Sequence, residues 1–391
     1  MFSARTAWDR TPNLLAVRRE TLRARGVDVV DLTVSNPTEV GLAQPEWAVR
    51  DALGRAEVNG YAPEPFGLLQ AREAVSRELA ARGARVAGGQ VFLTASTSES
   101  YRYLLELLCD PGDNLLVPMP GYPLLSFLAD AAAVELRHYP LELEVGFDFD
   151  TETLEALADE NTRGVLVVSP ANPTGQVLSA DAQLALDALC AASGWALVVD
   201  EVFCHFVRGG RAPSTAAALE AEALTFTLEG LSKSVGLAQL KCAWTAVTGA
   251  SPHRDEALAR LEVLADGFLS VAEPTQRALK GLLQLGPSWR HRVQVRLEEN
   301  LRALVAVRPA DAPWSVLPSD GGWSSVLRLP QSTDETSLTL ELLEAGVHVQ
   351  PGHFYDFPRG RFLVLSLLPE PERFSAGVQR LSRALGHLLR P

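Results

Sequence analysis

Lys233 and Lys241 stand eight residues apart in the stretch Thr225–Trp244, which reads Thr-Phe-Thr-Leu-Glu-Gly-Leu-Ser-Lys-Ser-Val-Gly-Leu-Ala-Gln-Leu-Lys-Cys-Ala-Trp. The chain has 35 lysines and arginines together, and only three are lysine, the third being Lys280. A sequence that writes nearly every cation as arginine has placed two lysines in one short apolar stretch. Arginine keeps its proton, whereas a lysine amine can lose it and condense with a carbonyl as a Schiff base. Taken alone, the stretch reads equally well as a loop with two solvated lysines, so the surrounding elements decide.

Those elements are strands that end in polar groups. Val165–Val168 is a continuous apolar run, as expected of a parallel strand covered on both faces, and Ser169-Pro-Ala-Asn172-Pro-Thr-Gly follows it. Ala196–Val199 is equally apolar and runs into Asp200. Open parallel sheets bind ligands just beyond their strand carboxyl ends, so Asn172 and Asp200 are expected in one crevice. A buried aspartate there needs a partner. Upstream, Val91–Thr94 reads as a strand, and Ser96-Thr97-Ser98-Glu99 opens a helix that runs to Leu108. The free N–H groups and partial positive charge of that helix start suit a phosphate.

The three stretches Val91–Ser98, Val165–Gly175 and Ala196–Phe203, with Ser232-Lys233, resemble the fold-type I, pyridoxal-phosphate-dependent aminotransferases of class I/II in order and spacing, over nearly the whole chain. The resemblance implies pyridoxal 5′-phosphate as cofactor. Lys233 would carry it and act as the base, and Asp200 would pair with the pyridine nitrogen. Asn172 would donate to the ring oxygen, and Tyr122 would stack on the ring. Ser96, Thr97, Ser98 and Lys241 would hold the phosphate, with Tyr61 reaching it from a second subunit of a homodimer. Ser35 and Asn36 would lie near the substrate, and Ser270 is a weaker interface candidate.

The sequence departs from the family pattern at four places. Phe203 replaces a tyrosine that donates to the ring oxygen. Gly230 replaces a phosphate-binding serine. Lys241 replaces an arginine and offers a point charge where arginine offers a fork. In Arg361-Phe-Leu-Val364-Leu-Ser366 the position that usually holds an arginine for the substrate carboxylate is Val364. Strand alternation puts Val364 and Ser366 on one face and Arg361 on the other. Common α-amino acids are therefore expected to be poor donors.

Composition bounds the remaining possibilities. A length of 391 residues exceeds one average domain, and 47% apolar with 21% charged residues is ordinary for a globular protein. A net charge of −13 argues against nucleic acid or an anionic membrane as the main partner. The N-terminus carries no signal-like apolar segment and no apolar run is long enough for a membrane span, which leads to the expectation of a cytoplasmic protein. Cys109, Cys190, Cys204 and Cys242 have no metal-ligand spacing, and no metal site is expected.

The expected fold is α/β: a doubly wound, mostly parallel sheet in a large cofactor domain, 45–265, and a smaller α/β domain built from the arm 1–44 and the C-terminal part 266–391. Helices are expected near 254–266 and 274–304, a strand over 132–138, and strands over 314–317, 323–329 and 361–367. Transamination of a small amino compound is the leading reading. A lyase, decarboxylase or carbon–carbon synthase using the same cofactor is the alternative, because sequence does not fix which bond breaks. A scaffold without cofactor is the third.

Overall fold

A computed structural model describes residues 1–56, 59–141 and 151–389. The chain enters through the helix Leu14–Ala24, capped by the Asn13 side chain, and a two-residue strand, β1 (Val30–Asp31). Seven strands then form one sheet: β2 (Val91–Thr94), β3 (Asn114–Met119), β4 (Glu135–Pro140), β5 (Thr162–Val168), β6 (Ala196–Asp200), β7 (Thr225–Gly230) and β8 (Ala243–Thr248). Their order is β2-β8-β7-β6-β5-β3-β4. β8 runs antiparallel to both neighbours and every other pairing is parallel. The sheet is thus mostly parallel, as expected of its apolar strands, and helices cover both faces.

The topology gathers strand ends on one edge. Val168 pairs with Asp200, Asp200 with Leu228, and Gly230 with Ala243, which in turn pairs with Thr94. Antiparallel β8 thus delivers its first residues, directly after Lys241, to the edge where its neighbours end. β5 through β8 are buried along nearly their whole length, with only Arg163 and Val168 part-exposed, which is why no alternation marks them.

A second sheet has the order β12-β13-β10-β9, from β9 (Ser315–Val316), β10 (Ser324–Arg328), β12 (Gln350–Pro351) and β13 (Phe362–Ser366). Between them, β11 (Val347–His348) pairs in parallel with β1, so the N-terminal arm joins the C-terminal part. The helix Pro371–Leu388 packs Phe374, Val378, Leu381 and Leu385 into that core.

Several boundaries differ from expectation. Leu124–Ala132 is a helix, and the strand expected over 132–138 begins only at Glu135. Ala133 ends that helix in left-handed backbone, φ 60°, a place where glycine is the usual signal. The helix expected over 274–304 is two, Glu273–Leu283 and Gly286–Ala306, the second started by Pro287 in its first turn. The first of them packs Ala278, Leu279 and Leu282 against Ala71, Val75 and Trp244, beside the seven-stranded sheet. No helix among the described residues is long and apolar enough to cross a membrane.

Candidate active site

A cavity of about 480 Å³ opens where the strand ends of the large sheet meet the second sheet. Lys233, Asp200, Asn172, Phe203, Tyr122, Lys241, Ser35 and Ser96 through Ser98 all line it. Asn36, expected near the substrate, does not line it, and Tyr61, expected to serve a second subunit, lies outside its own chain's cavity. The Asn36 side chain accepts from Thr38 N and donates to Glu39, which closes the turn after it. Tyr61 is 80% exposed and lines a separate hollow together with Ser270, whose hydroxyl donates to Glu99 over 2.6 Å.

Asp200 is buried at the end of β6. Its Oδ1 accepts from the Val202 backbone N–H at 3.0 Å and its Oδ2 from the Tyr101 hydroxyl at 2.6 Å. Burial pushes its carboxyl up, and those two donors and Lys233 oppose the shift. Both hydrogen-bond donors are neutral, and Lys233 is a nearby cation that opposes the shift without reversing it. Tyr101 was not legible as a site residue. It stands one helical turn after Thr97 and Ser98, and that spacing is the signal that could have found it.

Lys233 lies in the single turn Leu231–Ser234 that follows β7. Ser234 fastens this turn by donating to Gly230 O over 2.8 Å. Burial lowers the Lys233 pKa, with Asp200 opposing, so the amine is shifted toward its neutral form. Its Nζ stands 4.8 Å from the Trp323 ring centre and 5.8 Å from that of Phe203. The two rings meet edge to face at 5.3 Å. Trp323, also unforeseen, follows the turn Gly321-Gly322. Glycine is required there because a Cβ on Gly321 would lie 2.7 Å from Phe206 O and 2.8 Å from Pro170.

Asn172 stands in the loop after β5, and its amide has no hydrogen-bond partner among the described residues. Ser96 caps the helix Thr97–Leu108, its hydroxyl accepting from Glu99 N at 3.3 Å. The N–H groups of Thr97 and Ser98 are left without intrahelical acceptors at the cavity wall. Lys241 adopts left-handed backbone, φ 48°, and lines the same cavity. Tyr122 is 59% exposed at the rim.

Behind the site lies a buried ionic cluster. Arg82 pairs with Glu201 at 3.3 Å and with Glu229, and His205 Nε2 lies 2.8 Å from Glu229. Cys204, His205 and Glu229 come close enough together to hold a metal ion, a convergence that sequence spacing did not reveal. The Arg82 guanidinium already serves as the cation there, donating to Cys204 Sγ over 2.7 Å as well.

On the second sheet, Val364 and Ser366 line the cavity, and Leu365 between them does so as well. Arg361 points away, its Nε donating to Thr333 O over 2.9 Å at the surface.

A partly buried lysine shifted toward neutrality, a buried carboxylate and a helix start form the kind of site that suits a phosphorylated carbonyl compound. The aminotransferase class I and II family model matches residues 27–371, and the chain belongs to that family. It is 27% identical to an alanine aminotransferase of Mycobacterium tuberculosis over 93% of this chain and 87% of the relative. It is also 27% identical to the tyrosine aminotransferase of Mus musculus, over 88% and 78%. An alanine aminotransferase structure from Pyrococcus furiosus superposes with a TM-score of 0.90 at 19% identity, over 99% of this chain and 100% of that one, a likeness of fold. The protein is an aminotransferase.

Proposed function

We propose that the cavity binds pyridoxal 5′-phosphate on Lys233 and that the chain moves an amino group between a small-molecule amine and a keto compound. The observation that carries this is Lys233, shifted toward its neutral form by burial, in one cavity with the buried carboxylate of Asp200. The residues fit the group. Among the described residues, Asp200 takes its hydrogen bonds from neutral donors only, the Asn172 amide has no acceptor, and the N–H groups of Thr97 and Ser98 have no intrahelical acceptors.

When bound, the cofactor supplies an aldehyde for the amine and a ring that withdraws electrons. Asp200, ionised, would hold a proton on the ring nitrogen. Asn172 would donate to the ring oxygen, and Thr97, Ser98 and Lys241 would hold the phosphate with the Ser96 cap. Neutral Lys233 Nζ would take the proton from the substrate carbon that bears the amine and return it one atom further along. The Phe203 and Trp323 rings stand against that amine, and Tyr122 would close over the ring from the rim.

Replacing Asp200 with Ala tests the assignment. The variant is expected to keep a lysine-bound cofactor and to lose nearly all deprotonation of substrate, read as release of substrate tritium. Near-wild-type exchange contradicts the role given to Asp200.

We also read the chain as a cytoplasmic homodimer with a large domain over 45–265 and a small one from 1–44 and 266–391. Tyr61, exposed in one chain, would reach the phosphate of the partner subunit. Sedimentation that finds an active monomer contradicts the dimer.

A further inference from the structure

We infer that the amino donor carries no free carboxylate beside its amine and presents an apolar chain to the cavity. This rests on the cofactor reading above.

The basis is the charge of the wall. The chain has 32 arginines, 35 cations less three lysines, and none of them lines the cavity among the described residues. Among the described residues, the wall's basic side chains are Lys233, Lys241 and His138, the last exposed on β4. Lys233 must be neutral to move a proton, and Lys241 shares the phosphate with the helix start. Among the described residues of this chain, no fixed positive charge on the wall is then left for a second anion. Asp356, exposed and in left-handed backbone, lines the cavity as well and adds negative charge to that of Asp200. A carboxylate entering this space loses its water without gaining an ionic partner.

The second sheet gives the same reading from its side chains. Val364 is 1% exposed, opposite Val326 on β10 and Gln350 on β12. Its hydrogen-bonding neighbours are neutral: Gln350, Tyr355 and Ser366. Val117, Leu125, Leu128, Leu136 and Leu166 add apolar side chains to the wall. An amine with an aliphatic chain meets complementary surface there.

The test compares matched donors on the holoenzyme: leucine, leucinamide and isoamylamine, with alanine and glutamate beside them, read as conversion of the bound cofactor by absorbance. Isoamylamine or leucinamide is expected to exceed leucine in kcat/KM by about tenfold or more, the scale of one charge-assisted hydrogen bond. Leucine, alanine or glutamate converting as well as the carboxylate-free donors overturns the inference. Borohydride reduction of the same preparation separates the two readings. No conversion of any amine, with the label on Lys233, overturns this inference and leaves the cofactor reading standing; no label on Lys233 removes both. Calorimetry with isocaproate, which needs no turnover, gives an independent arm. Wild type is expected to bind it negligibly, and Val364→Arg about tenfold or more tightly. Tight binding of isocaproate to wild type overturns the inference whether or not the variant folds.

Discussion

The Tyr101 hydroxyl donates to Asp200 Oδ2 over 2.6 Å, from the second turn of the helix whose start faces the same cavity. One helix therefore offers N–H groups for an anion and fixes the carboxylate that would serve the ring. Burial pushes the Tyr101 hydroxyl well up, so it stays protonated and remains a donor.

Tyr101→Phe is expected to lower kcat by about 10- to 100-fold, since a hydrogen bond to a charged group contributes about 1.5–3 kcal/mol. The bond opposes the burial that raises the Asp200 carboxyl. Removing it raises that carboxyl further, so the ionised form is lost at a higher pH and the acid limb of the kcat profile moves up. An unchanged acid limb contradicts this role.

The residues legible in the sequence are those whose environment is written locally. Asp200 ends one strand buried on both faces and Asn172 lies in the loop after another, and uninterrupted apolar runs announce both. Ser96–Ser98 carries a cap signature, and Lys233 stood out in a chain poor in lysine. Trp323 and Tyr101 act through tertiary placement. Trp323 reaches Lys233 because the second sheet folds back across the first, and no local pattern encodes that return. Leu124–Ala132 was hidden by Pro120 and Pro123, which read as turn, and by an ending without glycine. Pro287, which starts a helix in place, lay inside one long helical pattern. The order β2-β8-β7 was equally hidden, because β8 is buried throughout and has no alternation.

Arg82→Met is expected to destabilise the protein by about 3–5 kcal/mol, the cost of leaving buried carboxylates without their cation. Glu201 and Glu229 both face Arg82, and all three are buried. Urea unfolding of the variant reads the loss, and a change under about 1 kcal/mol contradicts the ionic account.

The same cluster predicts a pH dependence. Burial pushes Glu229 up, but Arg82 and His205 outweigh it and hold the carboxyl at about 2, below its ordinary 4.5. A depressed acid contributes stability that is present above pH 4.5 and lost as pH falls toward 2. Tm measured across that window should fall less steeply in Glu229→Gln than in wild type. Parallel curves contradict the assignment.

Gly230→Ser, which restores the residue more usual in the family pattern, is expected to cost about 1–3 kcal/mol. A Cβ at Gly230 would lie 2.9 Å from Ala243 Cβ and 3.0 Å from Ala243 Cα, across the β7–β8 pair. Adding Ala243→Gly removes the first of those contacts and should recover part of that loss, and the coupling in a double-mutant cycle measures it. Additive losses contradict the steric reading.

The central claim is that Lys233 is the amine that carries the cofactor. Borohydride reduction of the holoenzyme followed by peptide mapping tests it directly. The predicted result is a single pyridoxyl label on Lys233. A label on Lys241 or Lys280, with Lys233 unmodified, contradicts it.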